Sequence, residues 1–143
     1  MKMFSQHNMG NENSALKINY EDMQTATSAH DIAIISALPP SRQECLIYNT
    51  LMPTEEVERI NTWIKSPHTA PSIIIYGENT CDDSASKKYL QLLGLGLKRV
   101  AIYSGGLFEW LLLQDIYGDE LFPTKGSMVD ILDYKGSSKK NLL

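Results

Sequence analysis

Three short, almost unbroken apolar segments limit most strongly what this chain can fold into: Asp31-Ile32-Ala33-Ile34-Ile35-Ser36-Ala37-Leu38, Ser72-Ile73-Ile74-Ile75-Tyr76 and Arg99-Val100-Ala101-Ile102-Tyr103-Ser104. None of them alternates apolar with polar residues, as a strand with one wet face does. Each reads as a strand covered on both faces, the pattern of parallel sheets. Helical signals fall between them. Asn19 is the expected cap of a short helix that follows a strand end at Ile18. Pro53-Thr54-Glu55-Glu56 opens a second helix with Thr54 as its expected cap, and Val57, Ile60, Trp63 and Ile64 then form one apolar stripe. A third helix is expected from about Ser84 to Leu93, ended by Gly94. A fourth, apolar around nearly its whole circumference, runs from Leu107 to Tyr117 and stops at Gly118 and Pro123. Cys45-Leu46-Ile47-Tyr48 adds a short strand. The alternation means an α/β fold with a central, mainly parallel sheet of about five strands and helices on both faces. Ligands of such sheets bind beyond the carboxyl ends of the strands, so the loop after Tyr76 is where chemistry is expected.

The chain has 143 residues, the size of one domain with a core that needs no disulfide or metal staple. A formal net charge of −4 argues against a nucleic-acid partner, which requires a basic field. The two cysteines, Cys45 and Cys81, make no disulfide framework and suggest a reducing compartment, so a cytoplasmic protein is expected. No apolar run is long enough for a membrane span. Residues 1–15 read as a disordered polar leader, 16–125 as the domain, and 126–143 as a tail. The patch Met128-Val129-Asp130-Ile131-Leu132 is expected to dock as a short helix, with disordered residues after it. Met9-Gly10-Asn11-Glu12-Asn13-Ser14 matches the N-myristoylation pattern, which matters only if translation starts at Met9. Chance is the plainer explanation of so short a match. An acylated Gly10, helped by Lys135, Lys139 and Lys140, implies peripheral membrane association.

The order of elements from Ile73 onward resembles the second half of the rhodanese homology domain family. The chain carries an apolar strand ending in Tyr76, then a loop, a helix, the glycine turn Gly94-Leu95-Gly96, the strand from Arg99, and the G-G-x-x-x-W element Gly105-Gly106-Leu107-Phe108-Glu109-Trp110. Tyr20-Glu21-Asp22-Met23 resembles the family's opening short helix and Asp31–Leu38 its first core strand. The resemblance implies a rhodanese-like fold over roughly residues 16–125. It also implies a sulfurtransferase loop, in which a cysteine directly after the strand's last residue carries a persulfide. Here that residue is Gly77, so no catalytic residue stands in the expected place.

The equivalent loop is Gly77-Glu78-Asn79-Thr80-Cys81-Asp82-Asp83, and Cys81 is its one candidate nucleophile. A persulfide-carrying thiolate needs backbone N–H groups and positive charge. Cys81 instead has Asp82 and Asp83 beside it, Glu78 near it, and no Arg in the loop. A carboxylate at the helix start also caps the N–H groups that an anion needs. The family's phosphatase relatives use C-x5-R, but the sixth residue after Cys81 is Lys87, which lacks the bidentate fork. The expectation is therefore a non-catalytic rhodanese-like protein that serves protein binding, scaffolding or regulation. The alternative is an active sulfurtransferase that uses Cys81 in a lengthened loop.

The remaining constellations are structural on the plainer reading. His7, His30 and His68 with the cysteines give no zinc spacing, and neither metal nor cofactor is expected. His30-Asp31 reads as a turn before a strand. Gly94-x-Gly96 precedes a strand instead of opening a helix, so it reads as a helix stop. Asp82-Asp83 falls short of a calcium loop and reads as a cap. The apolar helix 107–117 is expected to lie between sheet and tail, with Trp63, Ile64 and the Met128–Leu132 patch as candidate cover, or to present one face to a protein partner.

Overall fold

The computed structural model describes residues 15–128 and 130–137. Gly10, Met9, Lys139 and Lys140, on which the lipidation and membrane readings rest, lie outside the described residues. The chain order is β1 (Lys17–Ile18), α1 (Tyr20–Ala26), β2 (Ile32–Ser36), β3 (Leu46–Ile47), α2 (Pro53–Lys65), β4 (Ser72–Tyr76), α3 (Ser84–Gly94), β5 (Val100–Tyr103), α4 (Gly106–Tyr117) and β6 (Thr124–Lys125). Single 3-10 turns span Pro40–Arg42, Pro67–Thr69 and Ile131–Tyr134.

Strands β1, β5, β4 and β2 lie side by side in that order and pair in parallel, giving a four-stranded sheet. The sheet has four strands where about five are expected, because the short segment β3 does not join it and pairs antiparallel with β6. The α/β class, with a central parallel sheet flanked by helices, agrees with the expected class and with a rhodanese-like fold.

The continuous apolar runs are explained by two cores, one on each face of the sheet. Ile34, Ile74, Tyr76, Ala101 and Tyr103 point to a layer with Met23 of α1, Leu107, Trp110 and Leu111 of α4, Phe122 and Tyr134. Ala33, Ile35, Ile73, Ile75, Val100 and Ile102 point to the other, with Trp63 of α2 and Ala85, Tyr89 and Leu92 of α3. Alternate residues of a strand face opposite sides, so both sides must be apolar here.

Local signals held unevenly. Asn19 caps α1 as expected: its side chain accepts from Asp22 N at 3.0 Å while the Asp22 carboxylate accepts from Asn19 N at 3.3 Å, a reciprocal capping box. Thr54 does not cap α2. Pro53 takes the first helical position, which moves the cap to Met52, and Glu55 reaches back to Met52 N at 3.3 Å. Val57 of the α2 stripe is 59 % exposed while Trp63 is 6 % exposed, so the stripe is buried only at one end. Helix α3 includes Gly94, and the left-handed residue that turns the chain is Gly96, at φ +96°. Helix α4 is covered by the sheet and by Met128 and Ile131, but Trp63 belongs to the opposite core and covers nothing there.

Candidate functional site

Because β2, β4 and β5 run parallel in register, with Ser36 beside Tyr76 and Tyr76 beside Tyr103, the segments leaving all three emerge at one edge. That edge gathers the loop Gly77–Asp83, the turn Gly105-Gly106 and the Pro40–Arg42 turn. The loop is bound to the start of α4 by backbone: Leu107 N donates to Gly77 O at 2.9 Å and Phe108 N to Glu78 O at 2.8 Å. Gly106 explains the family-like glycine pair. It holds φ +71°, and a Cβ there would come within 2.8 Å of Asn79 N and of Gly77 O. Tyr76, wholly buried, anchors the strand end. Its hydroxyl accepts from Ile47 N at 3.1 Å and shares a 2.8 Å hydrogen bond with Thr50, and burial pushes its ionisation well up. Trp110 donates through Nε1 to Pro123 O at 3.0 Å.

The space beside Gly77 is filled by Asp82. A Cβ at position 77 would lie 2.8 Å from Asp82 Oδ2. That oxygen accepts from Glu78 N at 3.0 Å, while Oδ1 accepts from Ser84 N at 3.0 Å and Ser84 Oγ at 2.7 Å. Burial disfavours the charge, but these three donors and the positive charge of Lys87 outweigh it and hold the carboxyl below its ordinary value. The loop thus carries an anion of its own, held by N–H groups of the loop and of the start of α3. The rest is self-bonded as well: Cys81 N donates to Asn79 Oδ1 at 2.9 Å and Asp82 N to Asn79 O at 3.3 Å. Asp83 is exposed and pairs with Lys87 at 3.3 Å.

Cys81 is exposed, and its sulfur lies 4.0 Å from Thr80 Oγ1. The tail crosses it: a Cβ on Gly136 would meet Cys81 Sγ at 2.9 Å. Cys45, just before β3, is buried in the core that holds Trp110 and Tyr134, and burial pushes its thiol up.

Sequence reasoning correctly finds no Arg inside the loop, yet misses the one that reaches it. Arg42 forks onto Glu78, with Nε 3.1 Å from Oε2 and Nη2 2.8 Å from Oε1. It also pairs with Asp133 at 3.2 Å, donates to the Asp133 carbonyl at 3.0 Å, and lies 5.0 Å over the Tyr134 ring. The Glu78 hydrogen bond leads the causes that raise its ionisation further. The positive charge delivered to this edge is thus already matched by two carboxylates. The sequence signal for Arg42 is its place just past the carboxyl end of β2, which the β2–β4 pairing sets beside the loop.

Beside the loop, a cleft of about 540 Å³ lies between α2 and α3, lined by Ser36, Gln43, Glu56, Ser84 and Lys88 among others. Lys88 and Glu56 pair there at 2.5 Å, which leaves little net charge to recruit an ion.

No protein-family model and no curated protein sequence matches this chain significantly. Solved structures do resemble it. The BH2092 protein from Bacillus halodurans superposes with a TM-score of 0.61 at 18% identity, over 92% of this chain and 91% of that one. The Alr3790 protein from Anabaena sp. gives a TM-score of 0.56 at 20% identity, over 88% and 100%. EanB in complex with hercynine gives 0.58 at 13% identity, over 81% of this chain but only 29% of EanB. The likeness is one of fold. At such identities it carries no activity with it, and what this edge does must be argued from its own residues.

The other sequence candidates lie elsewhere or meet no partner. His30-Asp31 stands just before β2, at the amino end of the sheet and away from the loop. Among the described residues no group of three or more His, Cys, Asp or Glu side chains could hold a metal ion, and no helix is long and apolar enough to cross a membrane.

Proposed function

We propose that this chain is a rhodanese-like domain that does not catalyse sulfur transfer and acts by binding protein, as a scaffold or regulator in the cytoplasm. The observation that carries the reading is the Asp82 carboxylate. It fills the place beside Gly77 where the resemblance puts a cysteine side chain, and it takes the Glu78 and Ser84 N–H groups that a bound persulfide or substrate anion requires. Arg42, matched by Glu78 and Asp133, itself offers no unbalanced charge to an incoming anion. The protein-binding half is supported by the outer end of α4 and the residues after it. Ile116, Tyr117 and Leu121 are more than half exposed there, and Leu112 is 39 % exposed. Attachment to a membrane surface through Gly10 belongs to the same reading. The mass of the chain from a eukaryotic host tests it, by showing either Met1 or an acylated Gly10 at the amino end.

The competing activity is persulfide transfer through Cys81, the exposed thiol of the loop. Thiosulfate:cyanide turnover of the wild type and of Cys81→Ser separates the two. The expected result is background turnover in both. Turnover well above background that Cys81→Ser abolishes sinks the non-catalytic reading.

A further inference from the structure

The segment from Asp130 to Ser137 lies across the loop, and the way it is held names the chemistry of a partner; the inference rests on the protein-binding reading above. Two successive main-chain carbonyls of the segment are read by side chains. Arg42 Nη2 donates to Asp133 O at 3.0 Å and Asn79 Nδ2 donates to Tyr134 O at 2.8 Å. The side chains of the same two residues are recognised separately. The Asp133 carboxylate is 3.2 Å from Arg42 Nη1, and the Tyr134 ring lies wholly buried beneath the Arg42 guanidinium at 5.0 Å. Contacts to consecutive carbonyls, with one charged and one aromatic side chain seated apart, hold the 3-10 turn Ile131–Tyr134 through both its main chain and its side chains.

The fit has one flaw. The Tyr134 hydroxyl is buried, and no described protein group hydrogen-bonds it. A buried hydroxyl left unpaired works against the docked state, so the seat suits a bare phenyl ring better. The Asp133 carboxylate, about half exposed, is held at the rim, where ion pairs are weak and exchange readily. The segment also ends over the loop, where Gly136 lies close enough that a Cβ there would come within 2.9 Å of Cys81 Sγ.

We propose that residues 130–137 are an exchangeable strap, the intrachain occupant of a peptide-reading groove formed by Arg42, Asn79 and the Tyr134 seat. The partner that displaces it offers an acidic residue followed directly by an aromatic one, with phenylalanine the better fit. Displacement frees the Arg42 and Asn79 donors that hold the strap.

Fluorescence anisotropy with a labelled peptide of residues 130–137 carrying Tyr134→Phe tests this on the full chain. A full chain with Tyr134→Ala no longer seats its own ring. It is expected to bind the peptide at least about tenfold more tightly than the wild type, whose tethered strap competes at high effective concentration. Adding Arg42→Ala to Tyr134→Ala is expected to abolish binding. If Tyr134→Ala does not fold by circular dichroism, the full chain with Asp133→Lys gives the same comparison through a half-exposed side chain. Equal binding by wild type and strap variant, or no binding by a folded strap variant, overturns the proposal. Cyanide-dependent turnover on the same samples reports separately on the non-catalytic reading, so the failure of one is distinguishable from the failure of the other.

Discussion

Two glycine sites at the carboxyl edge of the sheet use the same device and differ in what it accomplishes. At Gly105 a Cβ would overlap the Glu109 carboxylate, and at Gly77 it would press on that of Asp82. Glu109 is held by a single donor, the Tyr103 hydroxyl at 2.6 Å. Burial, then the Glu109 hydrogen bond and charge, push the ionisation of Tyr103 far up, so it stays a phenol that donates to Glu109. Asp82 is held by two backbone N–H groups and a hydroxyl. The first carboxylate fastens the start of α4 to β5. The second occupies the donors of the loop itself. The lesson is that a missing side chain is informative through what takes its room. A glycine filled by a neighbour one turn along a helix is architecture, whereas one filled by a carboxylate on loop amides also decides which donors of the loop remain free.

The comparison breaks most easily at Gly106, which joins the two sites. Gly106→Ala puts a Cβ against three backbone atoms of the loop at φ +71° and is expected to cost about 2–5 kcal/mol of unfolding free energy, read by urea denaturation. A cost below half a kcal/mol would show that the loop does not rest on α4. Next in size is Gly77→Cys, which installs the residue that the rhodanese resemblance implies but forces Asp82 aside, at about 1–3 kcal/mol. Combined with Asp82→Ala it should cost less than the two single changes together, because the clash is removed. Additive costs in that double-mutant cycle would mean that Asp82 does not fill the site.

The smallest effect is on pH dependence. The folded-state carboxyl of Asp82 lies below its ordinary value of 3.8, so its contribution is fully present above that pH and is lost as pH falls through the lower, folded value. Denaturation midpoints measured from pH 6 down to 2.5 should therefore fall less steeply for Asp82→Asn than for the wild type. Parallel acid limbs would contradict this.

How legible the molecule was in its sequence depends on the range of the interactions. The sheet could be read because both of its faces are covered, which prints apolar residues at nearly every position of β2, β4 and β5, the buried serines Ser36 and Ser72 excepted. The cap at Asn19 could be read because its partner is three residues away. Thr54 misled because Pro53 fits the first helical position and shifts the cap back by one. At the site, the glycine at 77 and the acidic run after it were visible, and the expectation that a carboxylate would take the loop's N–H groups describes Asp82. Arg42, Asp133 and Tyr134 were not visible as a group. Arg42 meets the loop only because β2 lies beside β4, and the tail only because α4 turns it back; neither adjacency leaves a periodic trace.

The pairing of β1 has a consequence for the order in which the molecule is made. Lys17 and Ile18 find their places only beside Ile102 and Tyr103, whereas β2 reaches β4 through β3 and α2, and β4 reaches β5 through α3 alone. Contacts between segments so distant in sequence are slow to form, because a long loop must close first. During synthesis β1, the earliest of the four sheet strands in chain order, is thus the last of those four to be paired. It waits, edge exposed, until the β5 segment has cleared the exit tunnel, and a chain stalled before Tyr103 would leave the tunnel with that seam unclosed.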